Sequence, residues 1–184
     1  MKRFFSAVTL SLSLVLVGAA CTPMDSGPAR TTTVASVDLT RYAGTWFELG
    51  SVKQFFSVGL ANTTANYALA PDGASVVVVN RGIYPGLGRL ESSVVGSAIP
   101  VDASNARLNV SFTGSNSASP PGNYWVVALD ADYQWAVVSD RTGLSGFILS
   151  RTATVPAGRY VELVALAAAA GVDVSNLTPT PQGV

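Results

Sequence analysis

The chain has 184 residues, of which 48% are hydrophobic and only 12% charged, against roughly 25% charged in an ordinary soluble domain. That length suits one domain with a real core, and eleven basic residues balanced by eleven acidic ones, with no basic patch, argue against nucleic acid as a partner. There is no histidine and a single cysteine, which removes Ser–His and Cys–His nucleophile pairs and the usual His/Cys metal sites.

The first twenty residues read as a secretory signal: Lys2 and Arg3, an apolar run from Phe4 to Ala20, then the small residues Gly18, Ala19 and Ala20. The run carries polar breaks and falls short of the ~20 apolar residues of a membrane span. Removing residues 1–20 takes away two basic charges, so the formal net charge moves from zero to −2. Cys21 follows directly. A lone thiol in an exported chain has no internal partner, and "VGAA" before it resembles the lipobox of bacterial lipoproteins, although Gly18 stands where leucine is usual. That resemblance implies a lipid-bearing Cys21, with a diacylglycerol and an amide-linked acyl chain such as palmitate. Two or more chains anchor a protein stably where one does so only marginally. Residues 21–36, rich in Thr, Ser, Pro and Gly, read as a flexible tether, and the folded domain is expected over 37–184.

Short apolar runs then recur between turn residues. In order they are "GTWFELGSV", "NTTANYALA", "ASVVVVNRGIY", "RLESSVVGSAIP", "ARLNVSFT", "YWVVALD", "YQWAVVSD" and "SGFILSRT", eight candidate strands. In the fifth, Leu108, Val110 and Phe112 alternate with Arg107, Asn109 and Ser111, the pattern of a strand with one buried face. Eight short strands joined by short links suggest an all-β, antiparallel, up-and-down meander. Closing it into a barrel removes both exposed edges and leaves room for one small ligand; a β-sandwich is the competing architecture. One helix follows, with Thr154 as cap and Pro156 in its first turn. Tyr160, Leu163, Val164 and Ala167 form its packing stripe, Gly171 stops it, and the outside of the barrel is the surface available to it.

Three separated segments carry a family resemblance. "YAGTWFEL", with Gly44 and Trp46, "VVALDADYQWAVV", around Asp130, Asp132 and Tyr133, and "FILSRT", with Arg151, are similar to the three lipocalin motifs. "NRGIYP" and "LNVSF" are similar to patterns in the bacterial lipoprotein lipocalins related to apolipoprotein D. The resemblance covers nearly all of residues 37–176. It implies that Trp46 plugs the closed end of the barrel and that Arg151 lies across it; an arginine over an indole face adds about 0.5–2 kcal/mol. It also implies binding of a lipid, and it allows a homodimer. Asp38 is expected to cap the turn "DLTRY" that shuts that end.

Strand parity around bulges is not fixed by pattern, so the aromatics Phe47, Tyr67, Tyr84, Trp125 and Trp135 are the candidate cavity residues. Arg107 is the candidate cation for a carboxylate or phosphate head. An apolar cavity with one or two polar groups suits a fatty acid or lysophospholipid; the rival reading is a structural or interaction protein of the envelope whose barrel is filled by its own side chains. No cofactor or metal is expected: haem would need a ligand other than histidine, such as Tyr. Asp130, Asp132 and Asp140 read as turn chemistry, and catalysis is not expected. Thr22, standing where aspartate would signal inner-membrane retention, points to the outer membrane of a two-membrane host.

Overall fold

The computed structural model describes residues 29–52 and 57–184, so the signal segment and Cys21 lie outside the described residues. Asp38 opens a single helical turn, α1 (Leu39–Tyr42), with its Oδ1 accepting from the backbone N–H groups of Thr40 at 2.9 Å and Arg41 at 3.2 Å. This is the side-chain cap that a short polar acceptor provides at a helix start. Gly44, at φ 96°, then turns the chain into β1 (Gly44–Val52). The meander continues through β2 (Ala61–Leu69), β3 (Val76–Tyr84), β4 (Leu90–Pro100), β5 (Arg107–Ser111), β6 (Tyr124–Leu129), β7 (Trp135–Ser139) and β8 (Gly146–Ser150). Each strand from β2 to β7 pairs antiparallel with the next, and β1 pairs with both β8 and β2. The circle is closed: the chain is an eight-stranded antiparallel barrel, not a sandwich.

The pleat explains how apolar runs serve two faces. In β3, Val76 and Val78 are buried in the barrel core, whereas Val77 between them is exposed. Three registers slip where bulges intervene, between Glu48 and Gly50 in β1, between Ala61 and Thr64 in β2 and between Val126 and Ala128 in β6. Glu48 faces the interior and Leu49 joins an outer cluster with Ile148 and Leu163; past the first bulge Gly50 also faces outward, toward Tyr160.

That outer cluster belongs to α2 (Ala157–Ala169), which lies on the barrel wall through the fully buried Leu163 and Ala167, with Tyr160 and Val164 beside them. Gly171, at φ 92°, ends it as expected. Thr154 does not cap it. Pro156 occupies the N-cap with no side-chain hydrogen bond. With the helix starting only at Ala157, Thr154 lies too far upstream to cap it; its carbonyl instead accepts from Thr152 Oγ1 at 2.9 Å.

Residues 30–37 and the C-terminal segment are both built into the wall. Arg30 N–H donates to Arg141 O at 3.0 Å and Thr31 Oγ1 to Asp140 O at 2.7 Å, on the loop joining β7 to β8 at the open end. From there the chain descends past Val126, bonded by Val34 N–H at 2.9 Å, to Val37 at the closed end. At the other terminus a ninth strand, β9 (Leu177–Pro179), pairs with Gly50 to Val52 of β1, taking the side of β1 that β2 holds over Gly44 to Phe47. Gln182 Nε2 then donates to Glu48 O at 2.8 Å and to Thr63 O at 3.1 Å, bridging β1 and β2 where they part.

Candidate functional site

The closed end is a dense plug. Trp46 has no exposed surface, and its Nε1 donates to Tyr42 O at 2.8 Å. The guanidinium carbon of Arg151 lies 3.8 Å from the indole centroid. Arg151 spends its donors on backbone carbonyls: Nη1 on Thr45 at 2.9 Å, Nη2 on Arg41 at 2.8 Å and Ala43 at 2.9 Å, and Nε on Tyr133 at 3.2 Å. Burial pushes its pKa down, yet a guanidinium stays charged in proteins. Gly44 is needed under it, since a Cβ there would stand 3.3 Å from Nη1. Tyr133, in the left-handed region at φ 59°, accepts from Asp38 N–H at 2.9 Å, with Arg41 4.1 Å over its ring. Asp130 Oδ2 holds the β6–β7 hairpin by accepting from the N–H groups of Asp132 and Gln134. Gly44, Trp46, Asp130, Tyr133 and Arg151 thus all sit at this end, away from the mouth.

Above the plug, the lower barrel is filled by its own side chains, with a residual gap of about 20 Å³ among Val37, Leu39, Tyr42 and their neighbours. The upper barrel is hollow. A cavity of about 540 Å³ is walled by Ala65, Val78, Val110, Phe112, Phe147 and Leu149, with Tyr67 and Tyr124 shared between hollow and gap. That volume lies within the 300–1,000 Å³ of ordinary small-molecule sites. A concavity of similar size beneath the β5–β6 loop is an open surface groove, walled by that loop's own Asn, Ser and Pro residues.

A few polar groups break the apolar wall. Glu48, 6% exposed, accepts from Ser51 Oγ at 2.7 Å and from Thr180 Oγ1. Thr63 Oγ1 and Asn80 Oδ1 are buried at the hollow without a hydrogen-bond partner. Burial pushes the Asp140 carboxyl up, but hydrogen bonds from Thr142, Ser145 and the Thr142 and Gly143 backbone more than reverse this and hold it low. It is a turn residue that touches the rim, not half of an acid–base pair.

Of the candidate ligand residues, Tyr67 lines the hollow; Tyr84 ends β3 on the parity of Val76, Val78 and Asn80 but is not among the residues lining the hollow. The rest are elsewhere. Phe47 lies between the inward Trp46 and Glu48, so it faces out. Trp125 and Trp135 pack in the outer clusters beneath α2, Trp125 with Ala167 and Trp135 with Leu163. Arg107 begins β5 at the closed end with the outward parity opposite to Leu108, pairs with Asp102 at 2.5 Å and lies 5.6 Å over Trp125. It does not reach the mouth. Asn80, Asn123 and Tyr124 were absent from the expected set. The Val76–Val78 alternation, extended by one step, points Asn80 inward, and Tyr124 is the inward neighbour of the outward Trp125.

Comparisons with known proteins agree with this geometry. A family model for the lipocalin-like domain matches residues 37–182. The outer membrane lipoprotein Blc of Escherichia coli (strain K12) is 35% identical over 176 residues, 95% of this chain and 94% of that one. Temperature-induced lipocalin-1 of Arabidopsis thaliana is 34% identical over 160 residues, 81% of each. Among solved structures, the cockroach allergen Per a 4 superposes with a TM-score of 0.61 at 15% identity, over 85% of this chain and 96% of that one. Lobster apocrustacyanin A1 does so at 0.58 and 19%, over 88% and 94%. At those identities the solved structures speak for the fold alone. A closed barrel of eight strands, an indole plug under an arginine, and a match across the whole domain leave one conclusion: the chain belongs to the lipocalin family.

Proposed function

We propose that the chain is a carrier or store for a small hydrophobic or amphiphilic molecule, of the fatty-acid or lysophospholipid class, tethered to the outer membrane of the cell envelope through a lipid on Cys21. The observation that carries this reading is the hollow of about 540 Å³ above a sealed base, apolar along most of its wall. A ligand held there gains from burial at about 0.8 kcal/mol per methylene, before ordering costs. The chemistry is binding without turnover. Among the described residues no group of His, Cys, Asp and Glu could hold a metal. A barrel filled by its own side chains, the rival reading, fits only the lower half.

The relatives named as outer membrane lipoproteins, matched over nearly their whole length, support the envelope location and the anchor. Native mass spectrometry of protein taken from its own membranes tests the reading. A co-purified single-chain lipid, and uptake of a fluorescent fatty acid by the delipidated protein, are expected. An empty barrel that takes up none would overturn it. The substitution Cys21→Ser is expected to move the protein from the membrane to the soluble fraction, and sedimentation of that soluble form reads whether two copies pair.

A further inference from the structure

Three tyrosines from three elements meet at the floor of the hollow, Tyr67 and Tyr124 lining it and Tyr42 beneath them. Tyr42 of α1, Tyr67 of β2 and Tyr124 of β6 are joined hydroxyl to hydroxyl, Tyr42 to Tyr124 at 2.9 Å and Tyr67 to Tyr124 at 3.0 Å. Tyr42 and Tyr67 lie with ring centroids 5.6 Å apart, and Tyr67 meets Tyr124 edge-on at 6.2 Å. A phenol hydroxyl has one proton to donate. Three hydroxyls bring three protons, and two oxygen–oxygen contacts use only two. However the hydroxyls rotate, one O–H is left over, and no other described group accepts it. A buried donor left without an acceptor costs about 1–3 kcal/mol.

The surplus proton has a direction. When Tyr42 donates to Tyr124, the spare O–H falls on Tyr124 or Tyr67, and both of these line the hollow. Tyr42 lines only the small gap below. The phenols also stay protonated: burial pushes Tyr67 up to about 12 and Tyr42 and Tyr124 well above the ordinary tyrosine value. No arginine or lysine stands among the described residues lining the hollow, so an ionised carboxylate at the floor would be desolvated without a countercharge. A fatty acid or lysophospholipid entering tail first would leave the proton unmet.

We propose that the floor is a subsite for a neutral hydrogen-bond acceptor. Among the hydrophobic and amphiphilic molecules of the carrier reading, the floor favours one whose leading end, the end that enters first, carries a ketone or aldehyde carbonyl, which accepts the surplus proton from Tyr67 or Tyr124. This rests on the carrier reading above and names the chemistry at the deep end of the same cavity. Tyr42 donating to Tyr124 behind it completes a polarised chain.

Competition against a bound fluorescent fatty acid tests this, using a long-chain methyl ketone, the alkane of equal length and the matching carboxylate. One net hydrogen bond predicts that the ketone binds about 5-fold more tightly than the alkane. The pair Tyr67→Phe with Tyr124→Phe should abolish that preference. Tyr67→Phe alone should keep it, because Tyr42 and Tyr124 still hold two protons and one contact. Infrared spectra of the ketone in the unaltered protein give a readout that needs no variant: its carbonyl stretch is expected below its position in hexane. A ketone no better than the alkane, a carboxylate better than the ketone, or a carbonyl stretch at its hexane position would overturn the subsite while leaving the carrier reading intact. Failure of the fluorescent fatty acid to bind at all would overturn both.

Discussion

The two ends of this barrel are built from the same kinds of side chain and solve opposite problems. At the Trp46–Arg151 plug, donors and acceptors are matched: the Trp46 indole N–H, the Arg151 guanidinium, the Tyr133 hydroxyl and the Asp38 carboxylate all have partners, most of them backbone atoms. In the upper half, Thr63 Oγ1 and Asn80 Oδ1 are buried without partners, and the tyrosine trio at the floor holds one proton too many. Matched polar groups stabilise a fold, whereas unmatched ones destabilise it until something else supplies the match. Matched groups thus hold the plug, and the hollow keeps polar atoms of its own wall unserved.

The sharpest way to break this contrast is at the plug. Trp46→Ala should destabilise the protein by roughly 3–5 kcal/mol, the usual cost of deleting a fully buried large aromatic, read as a shift in the denaturation midpoint. Next in size is alkaline pH. The folded pKa of Tyr67, raised from 10 to about 12 by burial, lies above its unfolded value. Its contribution is fully present below pH 10 and is lost as pH rises through about 12, a fall of about 3 kcal/mol. Tyr42 and Tyr124 act in the same direction. Denaturation midpoints measured between pH 9 and pH 12 should decline across that window, and a flat profile would contradict the burial of the trio.

Arg151→Ala is expected to cost about 2 kcal/mol, because it strips the α1–β1 carbonyls of their donors as well as the indole of its cation. Lysine there should rescue only part of the loss, lacking the planar fork that serves several carbonyls at once. The smallest effect belongs to the upper half. Thr63→Val, nearly isosteric, should change the stability of the empty protein by less than ~0.5 kcal/mol or raise it slightly, since it removes a buried hydroxyl that has no partner. A large loss at this position would erase the distinction between the two ends.

Much of the fold was legible in the sequence, for local reasons. Turn residues bounded the strands and alternation in "RLNVS" marked β5; the three motif segments meet at the closed end. Side-chain direction was less legible. A bulge reverses parity without any compositional mark, and the one between Glu48 and Gly50 makes Gly50 follow Leu49 outward, toward Tyr160 of α2. Trp125 and Trp135 look like ligand platforms in a list of aromatics. They are instead what a bare barrel wall needs to hold a helix. Arg107 looked like a headgroup anchor because charge in a strand stands out, but its strand starts at the wrong end. Nothing local marked Leu177–Pro179 as a strand: it is three residues long, ends in proline and depends on β1 for its pairing. The tyrosine trio is equally invisible, being assembled from positions 42, 67 and 124.

The chain enters its fold beside the mouth, where Arg30 and Thr31 are bonded to the loop joining β7 to β8. From Cys21 to Arg30 is nine residue steps, a leash of at most roughly 30 Å. With acyl groups on Cys21, as proposed, the aperture stays within a bilayer's thickness of the lipid surface. A guest leaving the membrane would then cross only a short stretch of water before it is sheltered again.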